Sequence, residues 1–100
     1  MSIFDTNVTV INEDNLIKRG YIKIYGDNWF SKSIKHNLNK KIGSLFGNVI
    51  VRFEGRNISA FYYRPSMRSK KMVNTGLRYV TDMFEIIKME EELQNYLNKL

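Results

Sequence analysis

The stretch from Asn48 to Lys71 constrains the fold of this chain more than any other. It contains two alternating apolar runs on either side of Glu54-Gly55-Arg56-Asn57. That turn sequence is typical of a tight β-hairpin, because glycine adopts positive φ without steric cost. With Gly55-Arg56 as a two-residue loop, alternation puts one apolar set on a single face, which we expect to pack against a core. This register pairs Phe53 with Ile58, Val51 with Ala60 and Val49 with Tyr62.

The opposite face of the predicted hairpin mixes aromatic and charged side chains. It carries Ile50, Arg52, Glu54, Asn57, Ser59, Phe61 and Tyr63, and a basic loop with Arg64, Arg68, Lys70 and Lys71 follows. Aromatic rings next to cations offer bases a stacking surface and phosphates a counter-charge. The pattern therefore indicates a surface for a nucleic-acid strand.

The positive charge is concentrated in the middle of the chain. The net charge is +6 over 100 residues, and residues 29–71 contain ten basic side chains and one acidic side chain. Both flanking segments are slightly acidic. If the central block folds as a unit, it forms a basic patch for which a polyanion is the default partner. The alternative is an ordinary solvated surface whose charge serves solubility.

A second strand is predicted at Tyr21–Tyr25. Strict alternation puts Ile22 and Ile24 on the core side, which leaves an aromatic and cationic set on the other face. That set is Tyr21, Lys23 and Tyr25. The chemistry resembles that of RNA-recognition-motif sheets, whose strand aromatics stack bases, although the chain has no RNP-type motif.

Helical spacing of apolar residues predicts two helices. The first runs from Trp29 to Phe46, with a basic face that includes Lys32 and Lys35, and Gly47 ends it. The second runs from about Lys70 to Leu100. A short strand is predicted at residues 7–11 and one helical turn at Leu16–Arg19. We therefore expect one α+β domain over residues 1–100, an antiparallel sheet of about four strands with two helices in the order β-β-α-β-β-α and a long C-terminal helix.

The charges at the predicted start of the last helix oppose the helix dipole. Arg68, Lys70 and Lys71 would lie at the positive end, which an anion bound there would relieve. Ser69-Lys70-Lys71 also resembles the lysine-bearing second helix of double-stranded-RNA-binding domains, which contacts phosphates. Those domains have three strands between their helices, whereas this chain has room for two.

Several classes of protein are not favoured by the sequence. The chain has no run of 18 apolar residues, no secretory signal and no cysteine, so we expect a cytoplasmic location and no membrane association. The single histidine, His36, has no carboxylate at helical spacing, and metal-ligand motifs are missing from the sequence. We therefore expect neither enzymatic activity nor a metal or cofactor.

The sequence predicts a small nucleic-acid-binding protein that favours RNA or single strands, with low sequence specificity. A phage-type regulator or inhibitor would have this character. The alternative is a protein-binding inhibitor or assembly module, a homodimer among the options, that presents its basic block to an acidic partner. The predicted contact residues are Tyr21, Lys23, Tyr25, Lys32, Lys35, Arg52, Arg56, Phe61, Tyr63, Arg64, Arg68, Lys70 and Lys71.

Overall fold

A five-stranded antiparallel sheet with two helices forms the body of the protein. The computed structural model describes residues 9–35, 46–66, 68 and 71–99. Neighbours in sequence are neighbours in the sheet, so the strands run across it as a meander. The elements are α1 (Glu13–Lys18), β1 (Ile22–Tyr25), β2 (Trp29–Lys35), β3 (Phe46–Glu54), β4 (Asn57–Pro65), β5 (Met72–Tyr79) and α2 (Met83–Asn98).

The predicted hairpin is confirmed residue by residue. Strands β3 and β4 pair in the expected register, and Gly55 has a φ of +59° in the two-residue turn. The pairs include Phe53 with Ile58, Val51 with Ala60 and Val49 with Tyr62. Val49, Val51 and Ala60 are fully buried in the core. The hairpin is thus determined locally, by turn chemistry and by alternation.

Helix α2 covers one face of the sheet, and we refer to this face as the α2 face. The side chain of Asp82 accepts a hydrogen bond from the backbone N–H of Glu85 and so caps the helix N-terminus. The buried residues of the helix are Met83, Ile86, Met89, Glu90, Leu93 and Leu97. They lie over β2, β3 and β4. At Gly47, a Cβ atom would lie 2.8 Å from Leu93 Cδ1, so glycine permits the close approach of helix and strand.

The helix predicted at Trp29–Phe46 is wrong for the described part. Residues 29–35 form β2, and residues 36–45 lie outside the described residues. Phe30 and Ile34 are both buried, and a separation of four residues fits a strand as well as a helix. Lys32 lies between them on the same face, and its charge interrupts the apolar alternation in the sequence. In the structure that charge is neutralised by Glu90 of α2.

The long C-terminal helix is confirmed only from Met83 onward. Residues 72–79 form β5, so Lys71 precedes a strand and not a helix, whereas Lys70 lies outside the described residues. The anion site at a helix start and the likeness to double-stranded-RNA-binding domains therefore fail. The spacing of Val73 and Leu77 indicated a helix, but both side chains are exposed, with 40% and 51% of their surface accessible.

Up to Lys23 the faces of β1 are the reverse of the prediction, whereas Tyr25, beyond a register irregularity, lies on the outer face as predicted. Tyr21, just before the strand, is 1% exposed in the core, whereas Ile22 is 63% exposed. The predicted helical turn at Leu16–Arg19 is present as part of α1. Residues 9–11 form no strand, and residues 7 and 8 lie outside the described part. The order is therefore α-β-β-β-β-β-α, still an α+β fold. Within the described ranges, no helix is long and apolar enough to cross a membrane.

Candidate nucleic-acid interface

The sheet face opposite α2 carries a row of paired residues that crosses all five strands. Pairing places Tyr25 opposite Trp29, Trp29 opposite Arg52, Arg52 opposite Ser59, and Ser59 opposite Tyr79. Directly opposite residues project from the same face of an antiparallel sheet. We call this set the aromatic row. Three of its five members are aromatic, and one is cationic.

Trp29 and Arg52 form the centre of the row. The guanidinium carbon of Arg52 lies 4.7 Å from the centroid of the Trp29 ring, within cation–π range. Tyr25 meets Trp29 edge to face, with 5.8 Å between centroids. Arg52 also contacts the carboxylate of Glu54 at 3.5 Å, and 39% of its side chain remains exposed. Its planar donor group is thus positioned on an aromatic ring and still accessible.

Tyr79 and Tyr25 offer the most accessible rings of the row. They are 66% and 67% exposed, whereas Trp29 is half-buried. The sequence prediction missed both Trp29 and Tyr79, because it placed them in helices. A test for two-residue periodicity at Trp29–Lys35 would have favoured a strand.

Phe61 packs beside the row on the same sheet face and does not offer a stacking surface. It is 5% exposed and meets Trp29 and Tyr63 edge to face, at 6.4 and 5.4 Å between centroids. The prediction that Phe61 stacks bases is therefore wrong, because both faces of a stacking platform cannot be buried. Tyr63 is half-buried at the end of this chain of rings.

Tyr21 and Lys32 belong to a buried ionic cluster on the α2 face. Glu90 of α2 accepts hydrogen bonds from the Tyr21 hydroxyl at 2.8 Å and from Lys32 Nζ at 3.0 Å. Arg19 donates two more, from Nε and Nη2, at 3.1 and 3.0 Å. Burial, and then the Glu90 carboxylate, raise the pKa of Tyr21 far above its ordinary value. Tyr21 is thus a buried structural residue with no ring face to offer a base, and Lys32 is held by Glu90 on the α2 face, away from the aromatic row.

Lys23 and Arg64 also lie away from the aromatic row. Lys23 pairs with Phe30 and forms ion pairs with Glu13 of α1 at 3.0 Å and with Asp27 of the β1–β2 turn at 3.5 Å. The hydrogen bond with Glu13 is the main reason that the pKa of Lys23 is raised. Arg64 lies over the ring of Tyr96 from α2, at 4.2 Å. Neither side chain reaches the face that carries Trp29.

The remaining predicted cations lie near the two ends of the sheet. Arg56 is exposed in the β3–β4 turn, two rungs beyond Arg52. Lys35, Arg68 and Lys71 are exposed at the opposite end, where β2 ends and the β4–β5 connection runs. About six residues of strand separate this end from the aromatic row, a distance of roughly 20 Å. Of the predicted cations, Arg52 and Arg56 therefore lie in or next to the row, three others lie at the far end of the sheet, and Lys70 lies outside the described residues.

No protein-family model, curated protein or solved structure matches this chain. Among the described side chains, no group of three or more His, Cys, Asp or Glu residues is arranged to hold a metal ion. The functional interpretation therefore rests on the aromatic row and on the charges around it.

Proposed function

We propose that the protein binds single-stranded nucleic acid, preferably RNA, through the sheet face opposite α2. The observation that carries this proposal is the stacking of Arg52 on Trp29 between two exposed tyrosines. Rings of this kind accept any base on their faces, and a guanidinium held beside them contacts the phosphate that follows.

The dimensions of the row suit several successive bases. Neighbouring strands are about 4.8 Å apart, so Tyr25 and Tyr79 at the two edges are separated by roughly 19 Å. RNA-recognition-motif sheets, with four strands, stack two or three bases. In the row of this chain Ser59 is fully buried, so the groups that a strand can contact are Tyr25 and Tyr79 at the edges and the partly exposed Trp29 and Arg52 between them, enough for two or three bases.

Low sequence specificity follows from the side chains that surround the rings. Neither α1 nor α2 belongs to this face, so neither of these two helices is positioned to enter a major groove and read base edges. The contacts expected here are stacking and phosphate neutralisation, which carry little sequence information. Such a protein would act by coating or sequestering a strand, as a small regulator or inhibitor does. We also propose that the protein acts in the cytoplasm, because a chain without cysteine fits a reducing compartment.

The chain supplies a matched pair of arginines for a test. Arg52 and Arg64 are both half-buried, and each lies over an aromatic ring, but on opposite faces of the sheet. Fluorescence anisotropy with labelled single-stranded RNA, single-stranded DNA and duplex of one sequence should be measured over a salt series for wild type, Arg52→Ala and Arg64→Ala.

We expect wild type to bind the single strands most tightly and to lose affinity steeply as salt rises, because phosphate contacts release counterions. Arg52→Ala should weaken binding by about tenfold, the loss of one cation that both stacks and neutralises. Arg64→Ala should change it much less. Absence of binding at low salt, or equal losses in the two variants, would contradict the proposal and favour a protein partner.

A further inference from the structure

Strand β5 is an edge strand with little protection. Only β4 pairs with it among the described strands, and seven of its eight residues are exposed. The exposed apolar side chains are Met72, Val73, Leu77 and Tyr79. An edge of this kind presents a row of backbone donors and acceptors that another strand can pair with.

The opposite edge of the sheet is protected by contrast. Strand β1 has only four residues, and the charged Lys23 lies at its centre. Short edge strands with lysine resist pairing with a further strand. Strand β5 contains neither proline nor lysine. Its single charged residue, Arg78, is neutralised by two hydrogen bonds to Glu92 at 2.7 and 3.2 Å.

A bulge in β5 makes the strand complementary to itself. Between the pairs Ala60–Arg78 and Tyr62–Thr75, β4 has one residue, Phe61, whereas β5 has two, Leu77 and Gly76. The extra residue shifts the alternation between the two halves of β5. Met72 and Tyr79 consequently project from the face opposite α2, whereas Val73 and Arg78 project from the α2 face.

In a strand without the bulge, Met72 and Tyr79 would project from opposite faces, and so would Val73 and Arg78. The members of each such pair could then not be neighbours across a two-fold axis that relates two copies of the strand. Here they can, because the bulge lies between them. Two bulged strands, antiparallel and related by a two-fold axis at Thr75–Gly76, place Met72 opposite Tyr79, Val73 opposite Arg78, and Asn74 opposite Leu77. Each pair then projects from one common face, as antiparallel pairing requires.

We propose that two copies of the chain associate through β5 in this register and form one continuous sheet. Charge also favours a second copy as the occupant. Although each chain has a net charge of +6, Arg78 is the only charged residue of β5, and it is already paired with Glu92. In the proposed register Arg78 lies opposite Val73 of the second copy. No like charges face each other. The proposal does not require nucleic-acid binding, although Tyr79 belongs both to this interface and to the aromatic row.

Sedimentation and light scattering test the association. The wild type should be a dimer at about 100 µM, within the range of a modest interface. The double variant Val73→Lys/Leu77→Lys should be monomeric with an unchanged circular dichroism spectrum, because both side chains are exposed and lysine disfavours edge pairing. A monomeric wild type, or a dimer that survives in the folded lysine variant, would overturn the proposal.

Cysteine cross-linking tests the register in a chain that has no cysteine of its own. In Met72→Cys/Tyr79→Cys, opposite positions are about 4.5–5.5 Å apart between Cα atoms, within the range of a disulfide. Met72→Cys alone is the control, since its two copies would be roughly 23 Å apart in the dimer. Mild oxidation should link the double variant into covalent dimers and leave the control largely unlinked. Equal yields would exclude this register.

Discussion

Arg52 and Trp29 lie directly opposite each other on neighbouring strands, with 4.7 Å between the guanidinium carbon and the indole centroid. The contact joins the only tryptophan of the chain to a cation that remains partly exposed. Each side chain restricts the other, so a ligand that stacks here meets groups already in place. Pre-organisation of this kind lowers the entropy lost on binding.

The buried carboxylate of Glu90 should be the polar group on which the fold depends most. It is 8% exposed and accepts hydrogen bonds from Arg19 and Tyr21 of the α1–β1 connection and from Lys32 of β2. In Glu90→Gln two cations lose their counter-charge. We expect the free energy of unfolding to fall by about 3 kcal/mol, which is the lower end of the usual loss when a buried ion pair is broken. The lower end applies because the side chains of Arg19 and Lys32 reach solvent.

Urea denaturation measures this loss, and Glu91→Gln is the control because the neighbouring carboxylate is exposed. The control should differ from wild type by less than about 0.5 kcal/mol. Equal stability of the two variants would show that the Glu90 cluster does not hold α2 against β1 and β2.

The ion pair between Arg78 and Glu92 should appear in the acid titration. The hydrogen bond from Arg78 holds the pKa of Glu92 below its ordinary value. A lowered folded-state pKa gives a stabilising contribution that is present above the ordinary pKa and lost as the pH falls through the folded one. Because both side chains are 44% exposed, the contribution should stay below about 1 kcal/mol.

The variant Arg78→Met should raise the pKa of Glu92 toward its ordinary value, measured by NMR titration of the side-chain carboxyl carbon. Arg64→Met, which removes a cation that contacts Tyr96 instead, is the matched control and should leave that pKa nearly unchanged. An unaltered Glu92 titration in Arg78→Met would disprove the ion pair.

Gly47 should tolerate no larger side chain. A Cβ there would press on the carbonyl oxygen of Tyr63 and lie 2.8 Å from Leu93 Cδ1. We expect Gly47→Ala to lower the free energy of unfolding by about 1–3 kcal/mol, the usual cost of overpacking. Gly76→Ala is the comparison, because a Cβ at Gly76 meets no atom within 4 Å. Thermal denaturation that ranks both variants alike would contradict the close helix–strand packing.

The sequence determines the β3–β4 hairpin almost completely but leaves the rest of the sheet ambiguous. The turn type at Gly55 and the apolar alternation of the two flanking strands predict the same register, and no contact with a distant part of the chain is needed to determine it. The inward positions of Lys32 and Tyr21, in contrast, depend on a distant residue. Both point toward the core because Glu90, nearly sixty residues or more away in the chain, accepts hydrogen bonds from them. Local periodicity cannot reveal such a partner. Periodicity alone likewise placed Trp29 and Tyr79 in helices, so the prediction missed two of the five members of the aromatic row.

The intrinsic fluorescence of Trp29 gives the most direct measurement of the central claim, since the chain has no other tryptophan. Single-stranded RNA of about ten nucleotides, a length typical of such sites, should be titrated into the protein at low salt. We expect a saturable quenching that reports base stacking on the indole and that disappears at high salt. Unchanged fluorescence at RNA concentrations that saturate binding, or no binding at all, would contradict a stacking site at the aromatic row.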